Sequence, residues 1–452
     1  MMREPAFQKL PRPAPTPLVG RRVLILGLGD TGLALARWVE REGGKARIAD
    51  SRRDPPRARE LKPDFAGELR TGPFSPALLD DVDVLCISPG LSLEEPVVRQ
   101  AVAQNIPVLG DIELFAWYVR EPVLAVTGTN GKSTVTALAG HLLRAAGVDC
   151  EVAGNIGPPV LQAFESRLDA GKAPRAWVLE LSSYQLETTW SLAPRAAAML
   201  NLTGDHFDRY AGLEDYAAAK ARVFQGSGVQ VLNRDDPRSM GMALAGRKVV
   251  TFGLGAPRES EDFGVAAGNL VHGGSVIASV DELQIRGSHN VANALAACAL
   301  VSALGVSGSG LKTFKGLPHR LQLVATRRGV EWYDDSKGTN VGATVAALRG
   351  LGRKSVLILG GEGKGQDFSP LKDAVRQFAS RVLLIGRDAP LIAQVVAGEH
   401  CRSLEDAVQR AAEIAKPGEA VLLSPACASF DMFRDYRHRG EVFAAAVRSL
   451  AP

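Results

Sequence analysis

Covalent and metal scaffolding is scarce in this 452-residue chain. Its five cysteines (Cys86, Cys150, Cys298, Cys401 and Cys427) are odd in number, scattered and without a CxxC pair. That excludes a disulfide framework or a zinc site of ordinary spacing and suits a reducing compartment. No apolar run reaches the roughly 18 residues of a membrane helix. The first twenty residues, MMREPAFQKLPRPAPTPLVG, hold five prolines where a signal peptide needs an unbroken apolar stretch. A cytoplasmic location without membrane insertion is expected. Net charge is also small: 53 Lys+Arg against 49 Asp+Glu leave +4, which argues against a general nucleic-acid binder.

The chain is too long for one ordinary core and divides by length into two to four domains of ~100–200 residues. Apolar β-rich runs such as RVLILGLG, VLAVTG, AWVLELSS, SVLILGG and AVLLSP alternate with Ala/Leu-rich helical stretches. This alternation predicts α/β layers on mostly parallel sheets. ELFAWYV ends before a fresh strand near residue 120, and KGLPH separates an Ala-rich helix from a new strand pattern. Three domains follow, 1–119, 120–317 and 318–452, with small strands or an added subdomain expected over about 226–287.

AVTGTNGKSTVTAL begins as a strand and continues through Gly128 and Gly131 into a helix opened by Lys132, Ser133 and Thr134. Backbone N–H groups of such a turn, with Thr129 and Asn130 between the glycines, cradle phosphate at a helix N-terminus. Lys132 suits β/γ-phosphate oxygens and Ser133 a magnesium ion. The spacing is shorter than GxxxxGKS/T, since Val126 stands where the first glycine belongs. Upstream, Gly27, Gly29 and Gly32 form GxGxxG after a strand, around Asp30 and Thr31, and Asp50 ends the next strand. That pattern fits a dinucleotide, another pyrophosphate ligand or simple tight packing.

Glu180 ends the apolar strand of LELSSYQLE, where an acid is costly unless paired or bound to metal. NLTGDHFDRY brings Asp205, His206 and Asp208 just beyond another strand; His206 reads as a metal ligand or as a structural histidine. Lys220, ending YAAAK, reads from composition as a solvated helix lysine. Asn290 and Asn293 share a helical face and could cap the helix or meet a base edge. Arg320, Asp334, Asp335, Lys337, Thr339 and Asn340 at the second junction suit nucleotide contacts or a surface ion-pair cluster. Lys364 lies on a Gly-rich turn, and Ser424, Ser429 and Arg434 follow a later strand; together they suit a small carboxylate ligand or are exposed turn residues.

In order, TGTNGKST, LELSSYQLE, NLTGDHFDRY, SHNVANALAA, LPHR, YDDSKGTN, GGEGKGQDFSPL and SPACASFDMF resemble the Mur ligases of peptidoglycan synthesis, in particular their D-glutamate-adding members. The likeness runs from Gly27 to about Phe443. It departs at Tyr184, where Phe is usual, and at Gly338, where Ala is common. It implies a Rossmann-like N-terminal domain, a central P-loop ATPase-type domain and a Rossmann-like C-terminal domain. It further implies ATP, two Mg²⁺ ions and the small-molecule substrates UDP-MurNAc-L-Ala and D-glutamate, in a monomer with cell-wall rather than nucleic-acid work.

By the same resemblance, Gly27, Gly29, Asp30, Thr31, Gly32, Asp50, Ser51, Arg52, Ser88, Gly90 and Asn155 would hold the UDP substrate. Gly128 to Thr134, Asn290, Asn293, Arg320, Asp335 and Lys337 would hold ATP. Lys364, Ser429, Phe430 and Tyr436 would hold D-glutamate. Ser133, Glu180, His206 and a carbamylated Lys220 would bind metal, with Lys132, His206 and Lys220 acting in catalysis. The implied chemistry is ATP-driven activation of a carboxylate as an acyl phosphate, then attack by an amine through a tetrahedral intermediate, with the C-terminal domain closing about 315–319. A sister ligase for another amino acid, a nicotinamide-dependent oxidoreductase built on Gly27–Gly32, and a P-loop switch or motor are the rivals.

Overall fold

Three runs of buried β-branched and leucine residues each seed a parallel sheet. The computed structural model describes residues 5–61, 65–206 and 209–450; Asp208 lies outside them. The first sheet contains β1 (Arg22–Leu26), β2 (Lys45–Asp50), β3 (Glu68–Thr71), β4 (Val84–Ile87) and β5 (Val108–Leu109). They run in the order β3-β2-β1-β4-β5, every pair parallel. This is a doubly wound order with its switch point between β1 and β4, and in open sheets of this kind ligands gather beyond the strands' carboxyl ends.

The second sheet has nine strands: β6 (Val123–Thr127), β7 (Cys150–Gly154), β8 (Ala176–Glu180), β9 (Ala196–Met199), β10 (Val229–Asn233), β11 (Val249–Phe252), β12 (Phe263–Ala266), β13 (Asn269–His272) and β14 (Ser275–Ser279). Their order is β14-β13-β12-β11-β10-β9-β6-β8-β7. The 226–287 region therefore extends the main sheet, through parallel β10–β12 and then an antiparallel β12-β13-β14 meander. Every residue of β6 and β8 is buried, as expected of strands covered on both faces.

The third sheet contains β15 (Gln322–Arg327), β16 (Val330–Asp334), β17 (Ser355–Gly360), β18 (Ala379–Ile385), β19 (Glu399–His400) and β20 (Ala420–Leu423). Its order is β15-β16-β20-β17-β18-β19, parallel except for the β15-β16 edge. None of the described helices is long and apolar enough to cross a membrane.

The first two sheets share one apolar core. The helix Asp111–Tyr118 carries Phe115, fully buried, with its ring centroid 5.0 Å from Trp177 of β8 and 5.4 Å from Phe164. Trp38, on a helix of the first sheet, lies 5.4 Å from Phe164 and 5.0 Å from Tyr118. Phe115 and Trp38 thus both pack onto Phe164 where the first two sheets meet. Phe115→Ala should cost about 3–5 kcal/mol in urea unfolding, the range for a buried aromatic truncation. A loss below about 1 kcal/mol would show that the junction does not depend on this ring.

Candidate functional site

Three adjacent strands of the second sheet, β8, β6 and β9, end side by side. Val126 pairs with Glu180 and Thr127 with Met199, so the turn after β6, the acid ending β8 and the loop after β9 open at one rim. Gly128 (φ +147°) and Gly131 (φ +87°) adopt left-handed backbone conformations that side-chain-bearing residues rarely take. A Cβ on Gly131 would also stand 2.5 Å from Asn293 Oδ1. The helix Lys132–Ala145 then begins with its N-terminus facing the rim. Asn201, second residue of the loop after β9, braces the turn: its Oδ1 accepts from Asn130 N at 2.9 Å and its Nδ2 donates to Asn130 O at 3.0 Å.

A cleft of about 580 Å³ follows this rim and is closed by the third sheet. It brings together Thr129, Asn130, Gly131, Lys132, Ser133, Thr134, Asn155, Glu180, His206, Lys220, Asn290, Asn293, Arg320, Asp335, Lys337 and Lys364. Arg320 Nη2 donates to Ser133 Oγ at 2.8 Å, and Asn340 Nδ2 to Asn130 Oδ1 at 3.2 Å. The carboxyl ends of β16, β20 and β17 therefore face those of β8, β6 and β9 across a gap bridged by direct hydrogen bonds.

The cleft concentrates buried charge. Lys132 Nζ donates to the carbonyls of Gly128 (3.0 Å) and Thr129 (2.8 Å), while Lys220 Nζ donates to the same Gly128 carbonyl at 2.8 Å. Lys220 is 1% exposed, so the solvated helix lysine expected from composition is corrected. The helix Leu213–Ala221 lays its Tyr216, Ala219 and Lys220 side inward. Burial lowers the proton affinity of both lysines; for Lys220, Lys132 adds like-charge repulsion. Lys337 is lowered to about 8 by burial and by Arg320.

Glu180 Oε1 accepts from Asn155 Nδ2 at 2.7 Å, whereas the buried Oε2 has no partner among the described residues. An orphaned carboxylate oxygen on the rim that carries Ser133 fits a hard divalent cation. Among the described residues no group of three or more His, Cys, Asp or Glu could hold a metal. His206 has φ +57°, an uncommon conformation for a non-glycine residue, and its Nδ1 shares a 2.7 Å hydrogen bond with Tyr184 Oη.

The remaining predicted residues lie outside this cleft. Gly27, Gly29, Asp30, Thr31 and Gly32, with Asp50, Ser51, Arg52, Ser88 and Gly90, cluster at the carboxyl ends of β1, β2 and β4. Asp50 is engaged there as a brace: its carboxylate accepts from Leu28 N (2.7 Å) and from Arg52 Nε (2.8 Å) and Nη2 (2.6 Å). These contacts outweigh burial and hold its pKa down at about 2. Ser88 Oγ donates to Gly27 O at 3.1 Å. Ser429 is buried and Phe430 is 65% exposed, 6.0 Å from Lys364 Nζ. Lys337 Nζ sits 3.9 Å above the Tyr436 ring. Asn290 donates to Arg286 O and accepts from Asn293, so this pair is engaged with the helix start and with itself. Sequence reasoning missed Asn201, Asp235, His289 and Gln366 in the cleft lining; for Asn201, its place two residues beyond β9 was the available signal.

Asp335 is buried, accepting from Ser424 Oγ (2.7 Å) and Leu321 N (3.1 Å), and burial pushes its pKa up to about 7. Its folded pKa exceeds the unfolded value of about 3.9. Its protonated form therefore favours folding, and that contribution is complete below about pH 4 and lost as pH rises towards 7. The stability difference between the protein and Asp335→Asn, followed by urea titration, should fall across that window and level above it. A difference that grows from pH 4 to 7 would contradict the burial account.

Three family models match successive parts of the chain: "Mur ligase MurD-like, N-terminal domain" over residues 21–110, "Mur ligase middle domain" over 126–301 and "Mur ligase, glutamate ligase domain" over 319–427. The UDP-N-acetylmuramoylalanine--D-glutamate ligase of Thiobacillus denitrificans is 54% identical, covering 96% of this chain and 97% of its own length. The protein of the same name from Nitrosospira multiformis is 52% identical, covering 96% of each. Among solved structures, the UDP-N-acetylmuramate-alanine ligase MurC of Thermotoga maritima aligns with a TM-score of 0.59 at 18% identity, over 95% of this chain and 99% of its own. The MurF ligase of the same organism, in complex with ADP, aligns with a TM-score of 0.58 at 17% identity, over 96% of each chain. At these identities the structural likeness speaks for the fold.

Proposed function

The chain belongs to the Mur ligase family, and we propose that it is the ATP-dependent amide ligase that joins D-glutamate to UDP-N-acetylmuramoyl-L-alanine in peptidoglycan precursor synthesis. The observation that carries the mechanism is the convergence of Lys132, Glu180, His206, Lys220, Arg320 and Lys337 on one cleft between the second and third sheets. On this reading residues 1–119 hold the UDP substrate, 120–317 hold ATP and 318–452 hold D-glutamate.

A carboxylate resists an amine at neutral pH because oxide is a poor leaving group. ATP removes that obstacle: an acceptor carboxylate oxygen attacks the γ-phosphorus, the bond to the bridging oxygen breaks, and ADP leaves behind an acyl phosphate. In-line displacement needs position and charge neutralisation rather than covalent help from the protein. Lys132 turns from the Gly128 and Thr129 carbonyls to the β/γ-phosphates, and Arg320 and Lys337 approach the triphosphate from the opposite wall. Ser133 with Glu180, and His206 with Lys220 as a carbamate, are the groups that would hold Mg²⁺. Magnesium, when bound, neutralises charge on the transferring phosphoryl group. Burial of Lys220 suits carbamylation, since a neutral amine is the form that adds CO₂, giving up a proton as the N–C bond forms.

Lys364 would then hold the amino acid's carboxylate while its amine attacks the acyl carbon. The tetrahedral intermediate collapses with loss of phosphate and of one amine proton, leaving the amide. Preorganised cations around the cleft stabilise charge in both steps.

ADP release by the purified protein should require both UDP-MurNAc-L-Ala and an amino acid, and Lys132→Ala should lower it by at least about 10³-fold, the scale of removing a principal charge stabiliser. ADP release without acceptor would favour a switch or motor. Offered D-glutamate, L-lysine, meso-diaminopimelate and L-alanine side by side, the enzyme should form amide with D-glutamate, and Lys364→Ala should raise KM for it about tenfold or more while leaving KM for ATP unchanged. Preference for another amino acid would move the assignment to a sister ligase.

A further inference from the structure

The acceptor-side turn of the first sheet and the rim of the second are joined by one side chain that neither site assignment includes. Arg209 Nη1 donates to Pro89 O at 2.9 Å, inside the loop that carries Ser88 and Gly90. Its Nη2 donates to Glu187 at 2.5 Å, with the Glu187 side chain buried at 4% exposed and that of Arg209 largely covered at 12%. The guanidinium lies 4.1 Å from the centroid of the Tyr184 ring, and Tyr184 Oη holds His206 Nδ1. Backbone contacts close the path: Arg209 N and Tyr210 N both donate to His206 O at 3.0 Å, spanning the turn in which His206 has positive φ. On the other side, Ser88 donates to Gly27 O. A continuous set of contacts therefore runs from the GxGxxG turn through Ser88 and Pro89 to Arg209, Tyr184 and His206.

We propose that Arg209 is a positioning residue that couples the acceptor-side loop 88–91 to His206, so that the substrate's seat on the first sheet sets the alignment of the rim on the second. The inference rests on the ligase reading above. A planar guanidinium suits this task because it can donate to a carbonyl and a carboxylate at once while its face lies on an aromatic ring. Lysine supplies the charge without that geometry. Tyr184 completes the link: its hydrogen bond engages Nδ1 and so orients the ring, whose Nε2 faces Asp205 Oδ2 at 3.8 Å, and the hydrogen on one nitrogen of an imidazole is set by the bond the other makes.

The test is a comparison of Arg209→Lys with Tyr184→Phe in the full chain. Arg209→Lys should raise KM for the UDP acceptor and lower kcat, each about tenfold, the scale of a small misalignment of reacting groups, while KM for ATP and for the amino acid stay at the wild-type value. Tyr184→Phe should lower kcat several-fold at unchanged KM for the acceptor. In nitrogen-15 histidine spectra recorded without metal or substrates it should shift His206 from a single tautomer to a mixture. The double variant should lose less than the product of the two single losses. Because Glu187 is left buried beside a weaker partner, the melting temperature of Arg209→Lys is recorded, and Arg209→Met/Glu187→Gln serves as a variant without an unpaired charge; it should show the same acceptor-selective KM rise. Loss spread evenly over all three substrates, or wild-type kinetics with an unchanged His206 spectrum, would overturn the proposal. A wild-type protein that neither binds the UDP acceptor nor turns over would instead overturn the ligase reading.

Discussion

One backbone carbonyl, that of Gly128, accepts hydrogen bonds from two amino groups, that of the half-buried Lys132 and that of the buried Lys220. Two amines on one acceptor in a low-dielectric pocket cannot both stay charged at little cost, so each holds its proton less firmly than in water. The arrangement is tolerable because Glu180 and Asp205 oppose them and because Gly128, lacking a side chain, brings its carbonyl close to both. It also leaves Lys132 able to exchange its carbonyl partners for an anion entering beside the turn. The cleft is therefore built around an anionic ligand, and its remaining cations, Arg320 and Lys337, extend that role to the facing wall.

The three sheets serve that end through a single architectural rule. In each, the side chains of interest follow the carboxyl ends of neighbouring parallel strands: β1, β2 and β4 in the first, β8, β6 and β9 in the second, and β16, β20 and β17 in the third. Such edges collect loops without disturbing the ladders beneath them. The shared aromatic packing of Trp38, Phe115, Phe164 and Trp177 joins the first two sheets. Arg320 to Ser133 and Asn340 to Asn130 register the third against the second. The chemistry proposed for the cleft, two displacements in succession at neighbouring atoms, needs three ligands delivered from three directions, and this layout supplies them.

Much of this was legible in the sequence because it is local. TGTNGKST carries its strand, turn and helix within a few residues, and Glu180 is conspicuous as an acid ending an apolar strand. What was not legible depends on distant packing. Lys220 ends an alanine-rich helix and by composition belongs in water; its burial arises from contact with Gly128, 92 residues earlier. Arg209 reaches Pro89 across 120 residues and Arg320 reaches Ser133 across 187, separations at which pattern and propensity carry no information. Asp50 was placed at the UDP substrate by resemblance; that its carboxylate also accepts from Leu28 and Arg52 of its own sheet could not be read from the strand pattern. The 226–287 segment was expected as small strands or an added subdomain, because short strands with turns between them lack a long period; the pairing of β10 with β9 makes it an extension of the main sheet.

The account's central claim is that phosphate from ATP is placed on the acceptor's carboxylate before the amide forms. It is tested most directly by following oxygen-18 from a labelled UDP-MurNAc-L-Ala carboxylate through turnover with unlabelled ATP and D-glutamate. The account predicts that each phosphate released carries one labelled oxygen, because the carboxylate oxygen that attacks the γ-phosphorus leaves with the phosphate. Release of unlabelled phosphate alongside amide would contradict it, since the phosphoryl group would then have gone to water or to another acceptor.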